Sequence, residues 1–320
     1  MTEYPVGSRE QVVIAEESTY GNFTGTFDDG WILGHNIQVT PNFTRNFQEI
    51  TNNGSDSLEL ISLEPGAKLY SFQLRFNPYD FRWLKYCPTH ANVSNLDKGT
   101  YYTHEFTTDG NDINSFAMQW SKRQEENQII ELYGCVITDW KLDWSKGTGQ
   151  KDSFLTVTAN CIAKTHVDGT AIASVSYPPQ KPFNFYELKF TLDGTTIPEL
   201  NSGSLSFSTN INPQDSLYAY SDNNSEISQP IPVRKRYTLS TNINSSNKNI
   251  YQEWDGSVIS GTNKLEILRS TNDTATFIFT NLYLDTAPLG ETNPEGISPI
   301  TLVGIPTTIE VSVNDGNAEY

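Results

Sequence analysis

Apolar and polar residues alternate along most of this chain. Phe72, Leu74 and Phe76 alternate with Ser71, Gln73 and Arg75, and Leu155, Val157 and Ala159 with Thr156, Thr158 and Asn160. The same pattern runs through Tyr186, Leu188, Phe190 and Leu192, through Leu205 and Phe207, through Phe277 and Phe279, and through Ile309, Val311 and Val313. Ile137 and Trp140 lead into Leu142 and Trp144, with Thr138, Asp139, Lys141 and Asp143 between them. Alternation sends successive side chains to opposite faces. Each run therefore predicts a strand with one face in a core and one in water, the habit of antiparallel sheets. Asp109-Gly110-Asn111, Gly147-Thr148-Gly149, Asp193-Gly194 and Asn314-Asp315-Gly316 punctuate the runs as turns. A mostly-β fold follows.

One segment departs from the pattern. Residues 78–88 predict a single short helix: Pro78 suits an early helical position, Phe81, Leu84 and Tyr86 or Trp83 form an apolar stripe, and Pro88 ends it. The stretch Ser176-Tyr177-Pro178-Pro179-Gln180-Lys181-Pro182 does not fit a central strand and reads as a stiff, extended connector. It divides the chain into two β-sandwich or barrel domains, residues 1–177 and 183–320. No repeat of about 20–50 residues is visible, which excludes the common propellers and solenoids. Residues 221–226, 242–249 and 285–299 read as loops.

Composition narrows the class. The chain has 320 residues, among them 16 Phe, 16 Tyr and 6 Trp, too many aromatics for a disordered polymer. A net charge of −17 disfavours a nucleic-acid-binding surface, which needs clustered cations. The same charge lets nucleic acid slide past without sticking, and keeps a self-associating subunit soluble. The 3 cysteines, Cys87, Cys135 and Cys161, are too few for a disulfide framework and read as small buried hydrophobes. With the 4 histidines scattered, no structural zinc site is expected. No apolar run approaches the ~18 residues of a membrane span. The opening Met1-Thr2-Glu3-Tyr4-Pro5 lacks the basic and apolar regions of a secretory leader. Asn-x-Ser/Thr triplets at Asn22, Asn42 and Asn272 are read as chance in a chain this rich in those residues.

Local chemistry is sparse. There is no Gly-x-Ser-x-Gly elbow, no phosphate-binding Gly-rich loop and no cysteine in an activating motif, and no pair of carboxylates stands out as a glycosidase couple. No enzyme, cofactor or metal is expected. Asp109-Gly110-Asn111-Asp112-Ile113-Asn114 resembles a calcium loop loosely, but lacks the Gly and distal Glu of an EF-hand; a turn capped by Asx side chains is the better account. Trp140 and Trp144 share one strand face. They suit a sandwich core or subunit interface, the alternative being an exposed sugar-stacking platform. Arg234-Lys235-Arg236 is the one dense basic cluster, a local ion-pairing patch rather than a nucleic-acid site.

The order of several elements resembles the major tail tube proteins of long-tailed, siphovirus-like bacteriophages and related viruses. Ala15-Glu16-Glu17-Ser18-Thr19-Tyr20-Gly21 looks like the Glu-Ser-Thr-Tyr-Gly element of that family. Tyr102-Thr103-His104-Glu105-Phe106 followed by Ser115-Phe116-Ala117-Met118-Gln119-Trp120 is similar to its paired strands. Tyr133-Gly134-Cys135-Val136 opens a further strand pair that ends in Phe154-Leu155-Thr156-Val157-Thr158-Ala159. The small-residue strand from Ser202 to Ile211 and the basic-aromatic Arg234-Lys235-Arg236-Tyr237 match later elements; in the last 80 or so residues only strands are recognisable.

The resemblance implies a β-sandwich subunit whose strands join those of its neighbours in a closed inner barrel, with rings stacking into a tube. Closure removes exposed strand edges, and a heterologous contact that closes gives rings. Most members carry one such domain and form rings of six. Two domains here imply that three chains close a pseudo-sixfold ring, a ring of six being the other possibility. The partners implied are further copies of the chain, other tail proteins, and genomic DNA that passes without specific binding; the implied location is the virion tail, after assembly in the host cytoplasm. Glu16, Glu17, Tyr20 and Gly21 are the candidate ring-to-ring contacts, on an N-terminal arm. Asp139 and Asp143, opposite Trp140 and Trp144, are the candidate lumen-lining residues, on strands expected to carry an excess of carboxylates. The closest rival is another virion β protein, such as a tail terminator, baseplate or capsid decoration protein. A carbohydrate-binding sandwich is more distant.

Overall fold

The computed structural model describes residues 10–51, 60–88, 90, 92–107, 113–122, 128–147, 153–211, 234–244, 257–286, 300–318 and 320. The Asp109-to-Asp112 turn, Thr148-Gly149, and the loops at 221–226, 245–249 and 287–299 lie outside them. In the first half the strands are β1 (Glu10–Glu16), β2 (Trp31–Ile32), β3 (His35–Thr51), β4 (Leu60–Asn77), β5 (Asn92–Asp97), β6 (Tyr102–Thr107), β7 (Phe116–Lys122), β8 (Gln128–Ser145), β9 (Thr156–Ala163) and β10 (Thr165–Asp168). In the second they are β11 (Leu188–Leu192), β12 (Thr195–Ile197), β13 (Leu200–Ser208), β14 (Arg236–Ile243), β15 (Val258–Ile259), β16 (Lys264–Ser270), β17 (Asp273–Thr280), β18 (Leu282–Thr286), β19 (Ile300–Ile305) and β20 (Thr308–Asp315). Every pairing among them is antiparallel, so the mostly-β expectation holds.

The helix expected over residues 78–88 is a five-residue 3₁₀ turn, Arg82–Tyr86. Leu84 N donates to Phe81 O at 3.0 Å and Cys87 N to Leu84 O at 2.9 Å, the three-residue spacing of that helix. Three residues per turn eclipse Trp83 with Tyr86, both buried, and Arg82 with Lys85 toward the outside. Trp83 then meets Trp140 edge-on at 5.3 Å, and Phe81 meets Phe183 and Phe277 at 5.1 and 5.6 Å. The turn is a plug of aromatics between two sheets.

Strand β8 organises the first of those sheets. Its first half pairs with β7 and β10, and its second half with β9 and β13. The change of partners follows Gly134, which sits at φ +65°; a Cβ there would lie 2.7 Å from the Lys164 Cβ. Between Ile137 and Trp140 the alternation of apolar residues slips by one, and here β8 carries a bulge against β9. One sheet therefore runs without a break in the order β3-β4-β9-β8-β13-β14-β19-β18, crossing from one side of the proline connector to the other. The second sheet, β12-β11-β16-β17-β20-β6-β5, also mixes strands from both sides. At its β20·β6 junction the fully buried His104 lies 3.2 Å from Asp315 and 2.6 Å from Asn95, stacked on Tyr320, whose hydroxyl donates to Asp315. Burial pushes the Asp315 carboxyl up, but hydrogen bonds from His104, Tyr320 and the Asn317 amide hold it below the usual carboxylate range.

The two sides follow one path. The pairings β1·β2, β1·β7, β7·β8, β8·β10, β3·β4, β4·β9 and β8·β9 recur as β11·β12, β11·β16, β16·β17, β17·β20, β13·β14, β14·β19 and β18·β19. The consecutive strands β17 and β18 together take the place of β8. Asn281 between them, at φ 47°, occupies the position of Gly134. Lys164 N donates to Tyr133 O at 2.9 Å, and Thr307 N donates to Thr280 O at 3.0 Å in the same place. The bulge recurs too: Ile137 and Asp139 face Cys161 and Asn160, as Leu284 and Thr286 face Gly304 and Val303.

Candidate assembly surface

The Glu-Ser-Thr-Tyr-Gly element follows β1 and folds against the bend in β8. The Glu17 carboxylate accepts from Gly21 N at 3.0 Å, from Gly134 N at 2.7 Å and from the Ser115 hydroxyl. Gly21 lies at φ +69°, and a Cβ there would stand 2.5 Å from the Lys164 Cδ. Lys164 sits over the Tyr20 ring, 5.5 Å from its centroid. Glu17, Tyr20 and Gly21 are therefore brought together around Gly134, where they fix the bend. Glu16 points away, 66% exposed, and pairs with Lys85 at the rim of a cleft of about 180 Å³. Residues 10–16 are no free arm: β1 lies between β7 and β2, with Val12, Val13 and Ile14 buried. What lies before Glu10 is outside the described residues.

Trp140 and Trp144 are buried at 2% and 3% exposure, so they are core and not a platform. Asp139 and Asp143 lie on the opposite face of β8, as their spacing predicts. Cross-strand rows tile that face. Gln38, Arg75, Thr158, Lys141, Ser206 and Thr238 form one row. Thr40, Gln73, Asn160, Asp139, Ser208 and Arg236 form the next, with Gln73 donating to Asn160 at 3.0 Å. A hollow of about 780 Å³ opens on it between Gln73, Arg75, Asp143, Thr158 and Ser204.

This face carries slightly more cations than carboxylates. Asp139 and Asp143 stand among Arg75, Lys141 and Arg236, and the Lys141 ammonium pairs with Asp143 at 2.6 Å. Strand β8 itself carries Glu131, Asp139 and Asp143 against Lys141, but among the described residues the face bearing Asp139 and Asp143 shows no carboxylate excess. The acidity of the chain lies elsewhere, and hydroxyls and amides cover this face. Of the basic cluster, Arg236 is the first residue of β14 and lies on this face, while Arg234 N donates to Thr209 O at 3.1 Å. The three cysteines are buried and unpaired by disulfides; burial pushes each thiol up, well away from reactivity.

The sequence profile of a family described as phage tail tube protein matches residues 7–314. No curated protein matches the chain. With nearly its whole length matched by that profile and its strands arranged as antiparallel sheets over a large aromatic core, the chain belongs to the phage tail tube protein family.

Proposed function

We propose that three copies of this chain close a ring, that rings stack into the tail tube, and that the genome is ejected through it. The observation that carries this reading is the repeated strand path, with β8 joined to β13 so that each chain presents eight strands side by side, β3 to β18. Residues 1–177 and 183–320 would then act as two tube units, and three chains would supply 24 strands to one barrel. At a strand spacing of ~4.8 Å and a tilt of ~40°, such a barrel of 24 strands is about 48 Å across at its backbone, wide enough for a DNA duplex. The polar face bearing Asp139 and Asp143 lines the lumen in this reading, and the aromatic face packs on the second sheet. Hydroxyls and amides dominate this face, and its cations Arg75, Lys141 and Arg236 are spread over β4, β8 and β14, so they offer DNA no cluster to hold it. Glu16 and the adjoining cleft are the proposed ring-to-ring contact. Cryo-EM of tails tests the reading: three copies per ring are expected, and six copies would overturn the two-unit arrangement.

A further inference from the structure

The repeat builds one face twice, on the side of the strands turned away from the main aromatic core. In the first half this face belongs to β1, β7 and β8, and the chain itself crosses it as a strap. Gly169 N still donates to Ile129 O at 2.9 Å, and beyond it the chain leaves the sheet edge. The Gln119 amide donates to Ala171 O at 3.0 Å and accepts from Ala173 N at 2.8 Å. The Gln11 amide donates to Ala173 O at 3.1 Å. Ala173 packs on Val13, Ala15 and Ala117 beneath it. Two buried side-chain amides thus hold an extended backbone.

In the second half the face belongs to β11, β16 and β17. The registers set the equivalences. Gln119 lies between Val13 and Glu131 as Lys264 lies between Thr191 and Ile278, and Gln11 faces Ser121 as Lys189 faces Glu266. Lysines therefore stand where the two clamping glutamines do. No strap follows here, because β20 keeps to the sheet edge as far as Asn314. Leu268 and Ile278 on this face are 40% and 37% exposed. Thr191 is buried among them, and its hydroxyl has no partner among the described residues. Lys264 and Lys189 share the Glu266 carboxylate at 2.9 and 3.3 Å. Each ammonium spends one of its three donors there, and the trio keeps one net positive charge. Glu310 stands beyond Ile278, across β17·β20.

We propose that this second face docks an extended, acidic segment of a partner protein. The strap shows that the same framework holds an extended chain. The change from glutamine to lysine selects which chain. Gln119 donates and accepts, so it can clamp a plain backbone; an ammonium only donates, and its strongest partners are carboxylates. The exposed Leu268 and Ile278 offer apolar contact to the residues between those carboxylates. The face lies within one chain, so the proposal stands whether or not copies of the chain form rings.

The full-length chain carries the test. A trifluoromethyl tag on Ile278→Cys, read by fluorine NMR, reports arrival at the face, and the three native cysteines are buried away from the tag. The probe is a peptide with the sequence of residues 169–175 in which glutamate replaces Ala171 and Ala173; the unsubstituted peptide is the control. The acidic peptide is expected to shift the signal saturably with a midpoint near about 1 mM, and the control to bind at least about fivefold more weakly. Lys189→Gln with Lys264→Gln restores the amides of the first half and is expected to erase that preference. The wild-type face supplies a second measurement that needs no lysine variant to fold. Raising salt from about 50 to about 500 mM is expected to weaken the acidic peptide at least about threefold and to leave the control unchanged. Absence of a saturable shift, equal binding of the two peptides, a preference that survives in the glutamine variant, or indifference to salt would each overturn the proposal.

Discussion

At the scale of single residues, Glu17 shows how a surface-looking motif becomes a fixture. Its carboxylate holds Gly134, 117 positions away in the chain, at the point where β8 changes partners. An amide at that position turns one of the two accepting oxygens into a donor facing the N–H of either Gly21 or Gly134, so Glu17→Gln is expected to destabilise by about 1–3 kcal/mol, read as a lower urea midpoint at unchanged m. An unchanged midpoint would remove the clamp from the account. His90 sets a second expectation. It is fully buried near Phe106 and Tyr237, and burial pulls its pKa down from 6.5 to about 4. The unfolded chain therefore takes up this proton first as pH falls. The stability His90 confers is complete above about 6.5 and drains away down to about 4, by about 3 kcal/mol in all. His90→Gln is expected to flatten that part of the pH–stability curve; an unaltered slope would assign the acid sensitivity to other groups. The motif around Glu17 stood out in the sequence, but its role did not, because the role belongs to a contact with a distant glycine.

At the scale of elements, strand identity was legible and strand partnership was not. The alternation in residues 71–76, 155–160 and 309–313 marks β4, β9 and β20, because burial of one face imposes it. The three-residue step from Ile137 to Trp140 is visible in the sequence as well, and it is the bulge in β8. The helix over residues 78–88 became a 3₁₀ turn because its side chains are packed almost all round, which an amphipathic stripe does not describe. The repeat was hidden for a physical reason: each half solves the same backbone problem with different residues. Gly134 takes the left-handed bend in one, and Asn281 in the other, where its side chain donates to Thr307. Asn and Gly are the residues that tolerate that conformation. Asn281→Gly is accordingly expected to change stability by less than about 0.5 kcal/mol, and Asn281→Val to cost about 1–3 kcal/mol by chemical denaturation. Equal effects from the two would mean that the bend is not what the position is selected for.

At the scale of the molecule, net charge proved a poor guide to the face that matters. A chain at −17 suggested an acidic lining that repels phosphates. Yet the face carrying Asp139 and Asp143 answers them with Arg75, Lys141 and Arg236, and fills the spaces with serine, threonine and amides. Composition averages over surfaces; only the pleat and the register decide which residues share one. If this face lines the lumen, a hydroxyl-rich wall would allow passage by a different means from repulsion, having no strong attraction to break. That distinction can be measured. Ser204 and Ser206 lie on this face beside Asp143 and Lys141, so Ser204→Lys with Ser206→Lys adds two cations per chain without touching the aromatic core. Tubes should still assemble. If this face lines the lumen, each ring then carries a band of lysines against passing DNA. Ejection is expected to slow at low salt and to recover as added salt weakens phosphate contacts, because releasing counterions into a saltier solution gains less free energy. Ejection with wild-type rate and salt dependence would place this face away from the DNA and turn the sheet around.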